Sequence, residues 1–118
     1  NPDTVCTAIR IGKPARGEQA LEAAEQSDGR IIARTDEEIL AMQRQLASHG
    51  VWVEPASAAG LAGLAAEIKA GTIDLIGKTV VAICTGHGLK DPDIIARQMQ
   101  TPEVVDADME AIKKVILK

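Results

Sequence analysis

Thr85, Gly86, His87 and Gly88 lie between an apolar run and a helix start, in the string "CTGHGLKDPD" (Cys84–Asp93). A hydroxyl at that point can donate or accept a hydrogen bond without carrying charge. Gly86 and Gly88 allow positive φ and close approach of the backbone to a ligand. In open α/β sheets ligands sit beyond the carboxyl ends of strands, and Thr85 occupies such an end. The same string also reads as an ordinary turn from strand to helix, a junction common in such folds. His87 could exchange protons near neutrality, but a single loop histidine between glycines also fits a turn or supporting role. Glu54 opens a small-residue helix just before Pro55. It either complements the helix dipole or belongs to a site near the free N–H groups of that helix start. Lys90 and Asp91 read as a solvent-facing charge and a cap, and His49 as an exposed helix end. Two histidines and two dispersed cysteines do not make a zinc site.

The elements that must position these residues follow from the pattern. "TVCTAIRIG" (Thr4–Gly12) is short and β-branched and reads as an extended segment before a turn. Gly17–Ser27 is rich in helix formers, with Leu21 anchoring a thin apolar face. "GRIIAR" (Gly29–Arg34) reads as a short strand. Thr35–Gly50 is the clearest helix: Thr35 and Glu38 form a capping box, and Gly50 suits a left-handed stop. Ile39, Met42, Leu46 and Ala47 recur at helical spacing. Val51–Gly71 starts extended and turns helical near Pro55–Ser57, with Ala58, Leu61, Ala62, Leu64, Ala65 and Ile68 as its buried face. Ala59, Gly60 and Gly63 keep that helix thin. "KTVVAICT" (Lys78–Thr85) is apolar without alternation, as a strand covered on both faces is. Asp91 and Pro92 start a further helix, and "DADMEAIKKVILK" makes a last amphipathic one. Helices alternating with short strands define an α/β fold: a partial three-layer domain with a short, mostly parallel sheet flanked by helices. Two or three visible strands are little sheet to cover, which points to missing partners.

Composition bounds the rest. The 118 residues suffice for one domain. At 46% apolar residues, the composition argues against disorder. Trp52 is the sole aromatic residue, so the core rests on Ala, Val, Ile and Leu and is expected to be weak in isolation. A net charge of −4 with interspersed signs argues against a nucleic-acid partner. No segment approaches the ~18 apolar residues of a membrane helix, and "NPDTVCTAIR" has no signal-peptide pattern. Cys6 and Cys84 lack disulfide spacing, which fits a reduced, cytoplasmic setting.

"VEPASAAGLAGL" (Val53–Leu64), "CTGHGLKDPD" and "TAIRIGKP" (Thr7–Pro14), in that spacing, resemble the C-terminal part of threonine synthases. These are pyridoxal-phosphate enzymes of the tryptophan-synthase-β type, fold type II. The resemblance covers essentially the whole chain, 1–118, as the C-terminal portion of the catalytic, cofactor-binding domain. It implies a carbon–oxygen lyase acting on phosphate, which converts O-phospho-L-homoserine and water to L-threonine and phosphate with pyridoxal 5'-phosphate. It implies that Thr85 hydrogen-bonds the pyridine nitrogen, with Gly86 and Gly88 keeping the backbone clear of the ring edge. Ile9, Ile11, Gly12, Glu54 and His87 would line or support the pocket. The family's Schiff-base lysine and its glycine- and asparagine-rich phosphate loop belong to upstream motifs that these residues do not match. Lys13, Lys69, Lys78 and Lys90 stand in other contexts, and Lys13 replaces an asparagine usual in the family. The fragment alone is therefore expected to be inactive, with the remainder of the enzyme chain as its partner and a homodimer as the parent. A threonine or serine dehydratase fragment, similar in the Glu-Pro motif, and a stand-alone α/β interaction domain are the competing readings.

Overall fold

The structure, a computed structural model, describes residues 1–99 and 103–117. Among the described residues five α-helices follow one another: α1 (Gly17–Gln26), α2 (Asp36–Ser48), α3 (Pro55–Lys69), α4 (Pro92–Gln98) and α5 (Met109–Ile116). Short 3-10 turns stand at Thr7–Ile9 and Gly88–Lys90. Lys118, the end of the expected last helix, lies outside the described residues. None of the helices among the described residues is long and apolar enough to cross a membrane.

The packed centre is the α2–α3 pair. The capping box at the start of α2 is formed as expected: Thr35 accepts from the Glu38 N–H, and Glu38 accepts from the Thr35 N–H at 2.9 Å. Gly50 ends the element at φ 80°, a conformation that suits glycine. Across the pair, Ile39 meets Ala58 and Ala62, and Cys6 and Val53 close the cluster. Met42 and Leu46 pack against its edge. The N-terminal segment is tied to α2 by Asp36, which accepts from the Val5 N–H at 2.9 Å and from the Thr4 hydroxyl. Gln43 reaches from α2 to the Val53 carbonyl at 2.8 Å and so fixes the approach to α3.

Several expectations are corrected. Among the described residues there is no strand; an isolated antiparallel bridge joins Val53 and His87. Thr4–Gly12 contains a 3-10 turn instead of an extended run, and Gly29–Arg34 and Lys78–Thr85 form no ladder. The reason is physical: a strand exists through its neighbours, and one or two unsupported strands are marginal in water. Val81 and Ile83 are accordingly 84% and 81% exposed, where covered strand residues were expected. The buried face of α3 is also narrower than its sequence suggests. Ser57, Ala58, Ala62 and Gly63 are buried, Leu61 and Leu64 only in part, and Ala65 and Ile68 are exposed.

Candidate active site

The start of α3 and the glycine turn are clasped together. Glu54 is the N-cap residue of α3, and Pro55 supplies the fixed φ of the first turn. The Glu54 N–H donates to the Gly86 carbonyl at 3.0 Å, and the Gly88 N–H donates to the Trp52 carbonyl at 3.2 Å. These two bonds flank the Val53–His87 bridge and bring residues 52–57 against residues 85–88. Val53 is itself held by Gln43, so the packed helix pair dictates where the turn sits.

The two glycines are required by this clasp. A side chain on Gly86 would overlap the Glu54 carboxylate, and one on Gly88 would overlap the Trp52 indole. Neither glycine has positive φ; those at positive φ among the described residues are Gly50, Gly71 and Gly77. Close approach, not left-handed backbone, is therefore what residues 86 and 88 supply.

Thr85 stands exposed at the mouth of the clasp. Its Oγ1 lies 3.0 Å from Ser57 Oγ, in a hydrogen bond that either hydroxyl can donate. Ser57 is buried and also accepts from the Gly86 N–H at 2.7 Å. A groove of about 240 Å³ runs from Ser57 between α3 and Val80–Ile83. A larger one, about 600 Å³, lies away from Thr85 between α3 and Arg30–Arg34.

Glu54 is 2% exposed, and its Oε1 accepts from Lys90 Nζ at 3.1 Å. Lys90 faces solvent as expected, and it also pairs with this carboxylate. A buried carboxylate needs such a partner, and here the partner comes from the 3-10 turn that follows the glycines. Asp91 precedes α4 but makes no side-chain cap; it accepts from the Thr7 hydroxyl at 2.7 Å instead. His87 is exposed, and its Nδ1 accepts from the Leu89 N–H at 3.1 Å, which is a turn-capping contact.

Of the residues singled out from sequence, Thr85, Gly86, Gly88, Glu54 and His87 are thus gathered in one place. Ile9 lines the larger groove beside Gly60 and Gly63. Ile11 and Gly12 are exposed, with Gly12 facing Pro2. Ser57, Trp52 and Lys90 are additional members that the sequence reading did not assign. The signal for Ser57 was only its place in "VEPAS"; nothing in spacing indicates that residue 57 faces residue 85.

The arrangement offers a neutral hydroxyl to a ligand, with the nearby carboxylate occupied by a lysine. Comparison with known proteins defines the class first. The sequence profile of the pyridoxal-phosphate dependent enzymes matches residues 1–86, and the chain belongs to that family. More particularly, it is 45% identical to the threonine synthase of Methanocaldococcus jannaschii over 98% of this chain and 29% of that protein. Identity is 50% to the threonine synthase of Mycobacterium leprae, over 95% of this chain and 31% of that protein. It is 51% to that of Bacillus sp. (strain ULM1), over 95% and 32% respectively. The chain therefore spans less than a third of the length of these relatives.

Proposed function

We propose that this chain is the C-terminal part of a threonine synthase and acts only within the complete enzyme. The reaction is conversion of O-phospho-L-homoserine and water to L-threonine and phosphate, in the cytoplasm. The observation that carries the reading is the placement of Thr85. Its hydroxyl stands at the mouth of the α3 clasp, supported by Ser57, within a chain similar over nearly its whole length to threonine synthases.

The donor set fits a pyridine nitrogen. Thr85 has one proton to offer and no charge, so a ring nitrogen facing it gains a hydrogen bond without being driven to take up a proton. Glu54 does not compete for that role, since Lys90 holds its carboxylate. Gly86 and Gly88 keep the turn low beside the ring. When bound, pyridoxal phosphate supplies the electron sink for elimination and water addition. Ile9, Ile11 and Gly12 contribute to the pocket wall in the complete enzyme, and His87 stiffens the turn behind Thr85. In that enzyme Gly29–Arg34 and Lys78–Thr85 pair into the short parallel sheet, between helices on both faces. The lysine that links the cofactor, and the loop that grips its phosphate, come from the remainder of the chain. The parent enzyme is a homodimer.

The test follows two products in the complete enzyme carrying this segment, with pyridoxal phosphate present. Phosphate released from O-phospho-L-homoserine supports the reading. Ammonia formed from threonine, without phosphate release, would assign the chain to a dehydratase.

A further inference from the structure

Ser57 has one proton and two acceptors within reach. Its Oγ lies 3.0 Å from Thr85 Oγ1 and 3.3 Å from the Gly86 carbonyl oxygen. The Gly86 N–H donates back to it at 2.7 Å, and the serine is only 6% exposed. From these contacts we infer that Ser57 is a positioning residue that sets the direction of the Thr85 hydroxyl proton. It thereby readies Thr85 as a donor to an unprotonated heteroaromatic nitrogen.

Two directions of the hydroxyl chain satisfy the contacts. In one, Thr85 donates to Ser57, and Ser57 turns its proton to the Gly86 carbonyl. In the other, Ser57 donates to Thr85, whose proton then points away from the protein. A hydroxyl has one donor and two acceptor positions, so each direction excludes the other. The first is the weaker use of Ser57. It spends the serine proton on the longer contact, at a carbonyl that already accepts from the Glu54 N–H at 3.0 Å. An acceptor placed before Thr85 selects the second direction, because only that one leaves a donor facing it. The chain then runs from Gly86 N–H to Ser57, to Thr85, to the acceptor, and each link polarises the next. Ser57 can hold this register because it is the third residue of α3, behind the fixed Glu54–Gly86 clasp.

The inference rests on the role given to Thr85 above, and the test separates the two. The complete enzyme is loaded with pyridoxal phosphate carrying ¹⁵N in the ring, and the ring-nitrogen chemical shift is measured. Unaltered protein is compared with Ser57→Ala, Thr85→Ala and the double variant, alongside kcat/KM for phosphate release. Alanine is a strong helix former, so α3 keeps its propensity. Ser57→Cys keeps a weak donor on a slightly larger side chain and serves as a second variant.

Ser57→Ala should move the nitrogen shift in the same direction as Thr85→Ala, by less. Ser57→Cys should fall between Ser57→Ala and the unaltered protein. The fall in kcat/KM on Ser57→Ala should be about tenfold, the size of one hydrogen bond. In the double variant Ser57→Ala should add nothing to the nitrogen shift of Thr85→Ala, because its influence on the ring nitrogen passes through Thr85. An unmoved nitrogen shift in Ser57→Ala, or independent additive effects in the double variant, overturns the inference and leaves the role of Thr85 standing. An unmoved shift in Thr85→Ala overturns both, whereas phosphate release by the unaltered enzyme reports on the reaction separately.

Discussion

At Gly86 the backbone runs against a buried carboxylate, and at Gly88 against an indole. Gly86→Ala must displace Glu54 from its place beside Lys90 and should cost about 1–3 kcal/mol, the usual range for forced overpacking. Urea unfolding of the complete enzyme checks this, and an unchanged midpoint would contradict the clasp. Cys6 carries a different signature. Burial raises its thiol pKa from the ordinary 9.0, with Asp36 and Asp91 adding to the rise, while a Thr4 hydrogen bond and Arg10 oppose it. A raised acid binds its proton more tightly in the folded protein. Its contribution is thus complete below the unfolded pKa and is lost as pH rises through the folded one. The unfolding midpoint should therefore fall as pH rises above the ordinary 9.0, and Cys6→Ala should reduce that fall. At this scale the sequence reveals residue types better than partners. Thr85 and its glycines stand out in "CTGHG", but Ser57 lies 28 positions away and the Glu54–Lys90 pair spans 36. Only the folded α2–α3 pair brings them together.

Helices that carry their own instructions are legible; segments that depend on neighbours are not. The Thr35–Glu38 box and Gly50 delimit α2 through contacts within a few residues, so the local string suffices. Thr35→Ala removes an N-cap bond and should cost about 1 kcal/mol, read as a lowered denaturation midpoint. Lys78–Thr85 is the opposite case. Its apolar run has the composition of a covered strand, yet it bears no ladder, because no neighbouring strand among the described residues pairs with it. The same dependence shows on α3, where Leu61, Leu64 and Ile68 turn toward surface left partly open. Cys84 reports on it directly. It is exposed in this chain, whereas Cys6 is buried. Thiol alkylation should label Cys84 rapidly in the isolated segment and slowly in the complete enzyme, with Cys6 slow in both. Rapid labelling of Cys84 in the complete enzyme would contradict the expected burial of this segment.

The whole molecule is less compact than its length allows. Its radius of gyration is 18.6 Å, against about 13.5 Å for a compact chain of this length. Its accessible surface is 9365 Å², where a compact 12.4 kDa protein would show about 6,100 Å². The excess falls on apolar side chains such as Ile76, Val81, Ile83 and Val104. An isolated domain with that much bare apolar surface is driven to associate, whereas a larger enzyme would cover it. Sequence reading reached the family from three short motifs, and the helices agree with it. The expected sheet is not found among the described residues, which hold an isolated bridge and no strand, since a strand depends on neighbours that a local pattern cannot specify. The central claim is that Thr85 is the hydroxyl through which this part of the molecule serves a threonine synthase. The most direct measurement is phosphate release from O-phospho-L-homoserine by the complete enzyme, unaltered and with Thr85→Ala or Thr85→Ser. Expected is a loss of about 10- to 100-fold for alanine, the range for a hydrogen bond to a group that gains charge, with most activity kept by serine. Equal phosphate release from all three proteins would contradict it.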